Sequence, residues 1–259
     1  MQPSATYVVG FAVAVCLVCA LFVSGSAVGL KDRQEANVLL DRQTKVLTVA
    51  GLMEEGESLT REEIGSIYEK SIRPKVIDLE SGEPQPGIDT ATFDQQAAAS
   101  DPDRSEPAPA NPADVRRLPE NALVFDVMKD GELKALIIPV EGAGLWGMLY
   151  GYLALAPDAR TIVGITFYQH KETPGLGGEV DNPRWKSLWP GRLAYDERGN
   201  PAIRVKKGPA GSVEEDPYQV DGLSGATITS RGVTNLLRFW LGDDGFGPYL
   251  ASYRDRAGA

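Results

Sequence analysis

The chain has 259 residues, of which 42% are hydrophobic, so it is long enough to bury a substantial core. Its formal net charge of −10 excludes a general affinity for nucleic acid or anionic lipid, since both require basic side chains that neutralise phosphate. The two cysteines, Cys16 and Cys19, lie near the N-terminus and leave no disulfide framework in the rest of the chain. A single histidine, His170, excludes zinc sites built on several histidines.

An uncharged apolar run from Tyr7 to Leu30 predicts a membrane anchor over residues 1–30. The run is about as long as a helix needs to cross the hydrocarbon core of a bilayer. A cleaved signal peptide is the alternative, but no basic residue precedes the run, and the run is longer than the usual apolar core of a signal. Lys31 and Arg33 follow it, and this small charge bias favours a cytoplasmic C-terminal domain.

Residues 31–80 are expected to join the anchor to the soluble domain. Charged and apolar residues at helical spacing predict a helix over residues 31–52. Thr60 and Glu63 predict the capping box of a second helix, and the run KVIDLE after it predicts a short strand.

Residues 81–117 differ in composition from the segments on either side. They are rich in proline, alanine and aspartate, and they contain few large apolar side chains. This composition is typical of a mobile or extended surface excursion. We interpret it as an insertion, with a regulatory segment as the alternative.

Residues 118–259 predict a domain of mixed hairpins and helices. Asp130–Gly131 lies between two apolar runs and predicts a hairpin, residues 161–170 predict a strand, and residues 192–208 predict a second hairpin. A long helix follows the sequence DGLSGAT, residues 221–227. Four apolar residues at helical spacing predict its buried face: Val233, Leu236, Leu237 and Trp240. The predicted fold class is therefore α+β.

The segment that starts this helix combines minimal side chains with several hydroxyls. One interpretation is a cap, in which a hydroxyl of Ser224 or Thr227 accepts a hydrogen bond from a free backbone N–H. The other is a phosphate site, because a helix N-terminus offers unpaired N–H groups and a partial positive charge. A threonine there could contact a phosphate or be esterified by one. The nucleophile elbow of hydrolases is excluded, since Ala226 stands where its second glycine is required.

Two further stretches predict loops that face a ligand. After the strand at 161–170, a proline and three glycines predict a sharp turn with Glu172 and Thr173 free to face a ligand, although the glycines do not match the dinucleotide-binding fingerprint. Small residues around Trp146 would admit a flat ligand, or would merely allow two elements to pack closely. His170 is interpreted as a surface or structural residue, because the sequence offers it no catalytic partners.

Several long stretches occur in the order typical of one family: RPKVIDLESGE, GAGLWGMLYGYLAL, HKETPGLGGEVDNPRWKSLWPG, VDGLSGATITS and RFWLGDDGFGPYL. With its N-terminal anchor, the chain resembles the C subunit of the sodium-translocating NADH:quinone reductases over nearly its whole length. In that family DGLSGAT is the acceptor motif of a flavin transferase, which joins FMN through its phosphate to the threonine. The resemblance therefore implies a covalent FMN on Thr227, with Ser224, Gly225 and Ala226 giving the transferase and the phosphate access.

The resemblance also implies a pocket for the flavin ring. We expect five residues to line it: Trp146, Glu172, Thr173, Leu176 and Lys207. Lys207 would lie near a reduced, anionic ring, and Asp221, the opening acid of the motif, would serve the transferase. Because the flavin carries the chemistry, we expect no catalytic residue, no metal site and no NADH oxidation by this chain alone.

The same resemblance implies partners and a location. The partners are the other subunits of the membrane complex, which couples NADH oxidation by quinone to sodium export, and the flavin transferase during maturation; nucleic acid is not among them. The family places the flavin domain in the periplasm, on a single-pass anchor in the bacterial inner membrane. This placement opposes the charge bias at Lys31 and Arg33, which a long domain overrides.

Two alternative functions remain open. The homologous G subunit of an Rnf-type electron-transport complex has a similar anchor and flavinylated threonine, although GGEVDNPRWKSLWPG and FWLGDDGFGPYL favour the reductase family. The other alternative is a non-redox, membrane-anchored module that binds an anion or a partner, in which Thr227 is only a cap.

Overall fold

A computed structural model describes residues 4–257, which form two compact units divided between Arg42 and Gln43. The first helix, α1, spans Ala5–Val49 and continues from the first unit into the second. Its apolar part, Ala5–Lys31, is 27 residues long, has a mean hydropathy of 2.6 and is exposed throughout. The predicted anchor is therefore a helix of the length and composition that a membrane span requires.

The second unit contains the other elements, which follow in chain order. The helices and strands are α2 (Arg61–Ser71), β1 (Ile72–Asp78), α3 (Gln95–Ser100), β2 (Ser105–Pro107), β3 (Arg117–Pro119), β4 (Asn121–Lys129), β5 (Glu132–Ala143), β6 (Met148–Leu155), β7 (Ile162–Gln169), a 3-10 helix (Gly177–Asp181), α4 (Pro183–Lys186), β8 (Arg204–Val205), β9 (Gln219–Val220), α5 (Thr227–Trp240) and α6 (Gly247–Ala257). The capping box predicted before α2 is present: Thr60 accepts from the Glu63 N–H at 3.3 Å, and the Glu63 carboxylate accepts from the Thr60 N–H at 2.8 Å.

The centre of this unit is a five-stranded antiparallel sheet in the order β1-β4-β5-β6-β7. β1 comes from the segment that was expected to join the anchor to the domain, so this segment and the domain share one sheet. β4 and β5 form the predicted hairpin, in which Asp130 and Gly131 have φ values of 54° and 81°. Positive φ at both central residues is what a type I′ hairpin turn requires, and this turn matches the right-handed twist of the strands.

Helix α5 covers one face of the sheet. Leu136, Ile138 and Val140 alternate along β5 and are buried in one core with the helix. The four predicted apolar residues of α5 are at most 1% exposed: Val233, Leu236, Leu237 and Trp240. The Trp240 indole N–H also donates to the Glu141 carbonyl at 2.7 Å, which ties the helix to β5. The α+β class and the buried face of this helix are confirmed.

Residues 81–117 have more structure than their composition indicated. They contain α3 and β2, and β3 begins at Arg117. The Asn111 side chain organises the backbone here. It donates to the Pro109 and Val115 carbonyls and accepts from the N–H groups of Ala113 and Val115. Ala113 and Val115 are consequently 0% and 4% exposed. The expected mobile or extended excursion is thus a folded part of the second unit.

The beginning of this segment runs beside the outer edge of β1. The Asp78 N–H donates to the Glu83 carbonyl at 2.9 Å, and the Gln85 N–H donates to the Val76 carbonyl at 2.8 Å. Pro84 forms the corresponding bridge to Ile77. The edge strand is therefore partly paired by its own downstream chain.

The hairpin predicted over residues 192–208 is present only as a short antiparallel turn between Ala194 and Ala202. Its two sides are joined by the Tyr195–Pro201 bridge and by backbone hydrogen bonds from Asp196 to Asn200 and from Ala202 to Ala194, whereas β8 pairs with β9 in parallel. Arg192 explains the difference, because its buried guanidinium holds a loop from farther along the chain. It donates to three carbonyls there: Gly211, Ser212 and Asp216. These contacts lie outside the sequence window from which the hairpin was predicted.

Candidate functional site

The start of α5 presents an exposed threonine and no side-chain cap. Thr227 is the first residue of the helix and is exposed, as is Ser224. The N-cap is Ala226, with φ −124° and ψ 53°, and no side chain hydrogen-bonds to the helix end. The capping interpretation is therefore wrong for this helix. Its first N–H groups, which lack intrahelical partners as in any helix, remain for a ligand.

The predicted glycine-rich loop lies directly against this helix start. Gly225 has a φ of 70°, and a Cβ added to it would lie 2.9 Å from Cδ2 of Leu176. Leu176 therefore contacts the backbone of the acceptor motif. The loop is closed by the Thr173 carbonyl, which accepts from the N–H groups of Leu176 and Gly178 at 3.1 and 2.9 Å. Thr173 itself is exposed.

A buried carboxylate joins the three predicted stretches. Glu172 is 5% exposed, and its Oε1 accepts from the N–H groups of Leu145 and Trp146, both at 2.9 Å. Its Oε2 accepts from the hydroxyl of Thr229, which is fully buried in the first turn of α5. Sequence reasoning placed Glu172 in the pocket but facing a ligand, and it did not select Thr229. In the structure the carboxylate organises the loop before β6 and the start of α5.

Two glycines make this arrangement sterically possible. A Cβ on Gly144 would lie 2.6 Å from Oε1 of Glu172, and a Cβ on Gly177 would lie 2.6 Å from the Thr229 hydroxyl oxygen. Gly177 was predicted as a turn residue, whereas its position shows that it leaves room for the buried pair. Neither position can accept a side chain without displacing Glu172 or Thr229.

The stretches that meet at the helix start carry exposed apolar side chains. In the described part of the second unit, the large apolar residues that remain exposed are four: Leu145, Trp146, Leu176 and Ile228. We call these four residues the apolar rim. Trp146 is 64% exposed, the most of the four. Because all four belong to the stretches that meet around Thr227, the unit concentrates its exposed apolar surface at this site.

Lys207 and Asp221 take different positions beside the acceptor motif. Lys207 is exposed, and its chain neighbour Gly208 accepts from the Gly222 N–H at 3.0 Å. Asp221 accepts from the Ala210 N–H at 2.8 Å through its carboxylate, and its carbonyl accepts from the Trp185 indole at 2.9 Å. The Asp221 carboxylate therefore holds the turn that carries Lys207, a structural role that the sequence did not indicate.

Comparison with known proteins identifies the family. Residues 144–242 match the FMN-binding domain family, a range that contains every predicted pocket residue. The C subunit of the Na(+)-translocating NADH-quinone reductase from Pseudomonas aeruginosa is 47% identical, in a match that covers 98% of this chain and 97% of that protein. The chain belongs to the family of these C subunits. The protein of the same name from Yersinia pestis is 45% identical, over 95% of this chain and 91% of its own length.

Solved structures of this family support the fold. The crystal structure of NqrC from Shewanella oneidensis superposes with a TM-score of 0.78 at 35% identity, and the match covers 86% of this chain and 99% of that one. The corresponding reductase protein from Parabacteroides distasonis gives a TM-score of 0.66 at 28% identity, with coverages of 85% and 96%. Of the functions left open by the sequence, family membership supports the C subunit of the reductase. Together with the exposed apolar part of α1, it also supports the predicted membrane anchor.

Proposed function

We propose that this chain carries an FMN joined through its phosphate to Thr227 and relays electrons within a sodium-translocating NADH-quinone reductase. One observation carries the proposal: in a domain that matches the FMN-binding family, Thr227 stands exposed at an uncapped helix start, and the stretches linked to that start carry the apolar rim. The flavin supplies the redox chemistry when bound, and the chain supplies its position and surroundings.

The start of α5 suits a phosphodiester. Once the Thr227 hydroxyl oxygen is esterified, the phosphate keeps a negative charge, which the N-terminal end of a helix stabilises. Ser224, Gly225 and Ala226 add little bulk, so the phosphate can approach the backbone N–H groups. The exposure of Thr227 would also admit a flavin transferase.

The apolar rim suits the flavin ring. Trp146 and Leu176 offer apolar surface on two different loops beside the helix start, and Glu172 holds the Trp146 loop through its backbone. Thr173 is exposed in the same loop as Leu176 and would contact the ring or its side chain. Lys207 would stabilise a reduced, anionic ring from the neighbouring turn. Neither NADH oxidation nor a catalytic side chain is required of this chain.

Mass spectrometry of the peptide that contains Thr227 tests the attachment. The full chain, produced together with its flavin transferase, should gain the mass of an FMN phosphoester and should remain fluorescent after denaturing electrophoresis. Thr227→Ala should lose both signals, whereas the matched control Ser224→Ala, which removes a neighbouring exposed hydroxyl, should keep them. A colourless wild-type chain, or a flavin that survives Thr227→Ala, would contradict the proposal.

We further propose that the second unit lies in the periplasm, where it meets the other subunits of the complex. An alkaline phosphatase fused after Ala259 tests this orientation, because the enzyme is active only outside the cytoplasm. We expect an active fusion, with the same reporter joined to a cytoplasmic protein as the inactive control. An inactive fusion of normal abundance would reverse the assigned topology.

A further inference from the structure

His170 occupies a defined position behind the candidate flavin site. Its Nδ1 lies 3.2 Å from the Glu172 backbone nitrogen, and its Nε2 lies 2.8 Å from Oδ2 of Asp181. The Glu172 N–H must donate, so Nδ1 is an acceptor and the ring proton resides on Nε2, directed at Asp181. The hydrogen bonds thus select one neutral tautomer of the imidazole.

Contacts continue from this ring to the apolar rim. His170 holds the Glu172 backbone, and the Glu172 carboxylate holds the N–H groups of Leu145 and Trp146. The same carboxylate accepts from Thr229 at the start of α5. A displacement of the Glu172 backbone would therefore move the carboxylate away from the loop that presents Trp146.

We propose that His170 is a positioning residue of the flavin site, which acts through Nδ1 by fixing Glu172 and thereby the Trp146 loop. The proposal rests on the proposed function for its relation to flavin, but the positioning itself exists in the chain without flavin. His170 does not touch the apolar rim in this scheme. Its influence on the flavin ring is transmitted through Glu172.

Two conservative substitutions separate the roles of the two ring nitrogens. The amide oxygen of asparagine stands at the same distance along the side chain as Nδ1, so His170→Asn keeps an acceptor for the Glu172 N–H. The amide group of glutamine reaches the depth of Nε2, so His170→Gln keeps a donor for Asp181 but removes the acceptor near Glu172. If the Asp181 contact were what matters, glutamine would be the better replacement.

Hydrogen–deuterium exchange of the full chain in detergent tests the proposal. The chain is produced without flavin transferase, so that exchange reports the protein alone. In His170→Gln we expect the amides of Glu172, Leu145 and Trp146 to exchange roughly five- to tenfold faster, as the loss of one hydrogen bond predicts. In His170→Asn they should stay within about twofold of the wild-type rates. The amides of β6 serve as a control for the global fold, and their exchange rates should be unchanged in both variants.

Other patterns overturn the proposal. Wild-type exchange in His170→Gln would show that the acceptor is unimportant, and equal acceleration in both variants would show that asparagine does not restore it. Acceleration of the β6 amides together with the loop would mark a global rather than a local effect. In the flavinylated chain, visible circular dichroism of the flavin should change in His170→Gln and not in His170→Asn. Failure of the wild-type chain to acquire flavin would refute the proposed function. The exchange experiment would still test the positioning role of His170, because it uses the flavin-free chain.

Discussion

The hydroxyl of Thr229 donates a hydrogen bond to the carboxylate of Glu172, although the two residues are 57 positions apart in the sequence. Both side chains are buried, with exposed fractions of 0% and 5%. The bond connects the loop after β7 to the first turn of α5, and the same carboxylate connects this turn to the loop before β6. The relative positions of Thr227 and Trp146 therefore depend on one carboxylate.

Replacing Glu172 by glutamine should destabilise the second unit. If the amide oxygen keeps the bonds from Leu145 and Trp146, the NH2 group faces the Thr229 hydroxyl, which would have to accept instead of donate, and the neutral amide accepts weaker hydrogen bonds than the carboxylate. We expect a loss of roughly 1–3 kcal/mol in the free energy of unfolding, measured by urea denaturation followed by tryptophan emission. Glu197→Gln, which changes the charge equally at an exposed bend, is the control and should cost little. Equal effects of the two substitutions would refute the organising role of Glu172.

Adding a methyl group at Gly177 should disturb the same pair. Its Cβ would lie 2.6 Å from the Thr229 hydroxyl oxygen, so Gly177→Ala should destabilise the unit by about 1–3 kcal/mol. Gly65→Ala is the matched control, because Gly65 lies in α2 with open space around its Cβ. That substitution should stabilise by about 0.5–1 kcal/mol. Urea denaturation should therefore give opposite signs, and the same sign for both would contradict the packing described.

Trp146 should report the site by fluorescence. It is 64% exposed, whereas the other three tryptophans, Trp185, Trp189 and Trp240, are at most 6% exposed. Iodide should quench an accessible part of the emission in the flavin-free chain, and Trp146→Phe should abolish that part. Attachment of the flavin should protect or quench the same emission, because a ring on the apolar rim would contact this indole. Accessible emission that persists in Trp146→Phe would show that another tryptophan is exposed.

Glu141 should make stability depend on pH. Burial raises the pKa of its carboxyl from 4.5 to about 7. Between these values the folded chain binds a proton that the unfolded chain releases, so the contribution of Glu141 to stability is greatest below pH 4.5 and falls as pH rises to 7. The loss approaches about 3 kcal/mol above pH 7.

Glu141→Gln should remove this loss. The variant should therefore be more stable than the wild type at pH 8, and the advantage should shrink as the pH falls to 5. Urea denaturation across this range measures the difference, with Glu197→Gln again as the control for the change in charge. A constant difference between variant and wild type across the range would show that Glu141 titrates outside it.

Local patterns predicted the elements that local forces determine. Asp130–Gly131 predicted a hairpin turn because backbone conformation alone selects such residues, and the apolar face of α5 followed from helical spacing. The contact between Glu172 and Thr229 had no such signal, because two polar residues far apart in sequence give no periodicity. The pocket residues Trp146 and Leu176 came from the resemblance to a family, and their contacts with flavin remain predictions.

Composition and local pattern misled at two places where one polar side chain makes several hydrogen bonds to the backbone. Residues 81–117 have the composition of an unfolded segment, yet Asn111 satisfies four backbone groups and lets small side chains be buried. The pattern over residues 192–208 predicted a longer hairpin than the structure contains, and Arg192 binds carbonyls beyond it. The hydrogen bonds of Asn111 stay within four residues of it, whereas those of Arg192 reach 19 to 24 residues along the chain, and neither composition nor the turn pattern indicated them.

The pairing of residues 83–85 with β1 bears on how the protein avoids self-association. The unpaired N–H and C=O groups of an edge strand can hydrogen-bond to the corresponding strand of a second molecule, and such pairing leads to aggregation. Here the N–H of Asp78 and the carbonyl of Val76 already form hydrogen bonds within the chain. Pro84, between these two contacts, has no N–H that could bond to a strand of a second molecule. Residues 83–85 thereby cover the edge of the sheet. Deleting them should lower the solubility of the protein by exposing β1, and it should do so without removing the residues of the flavin site.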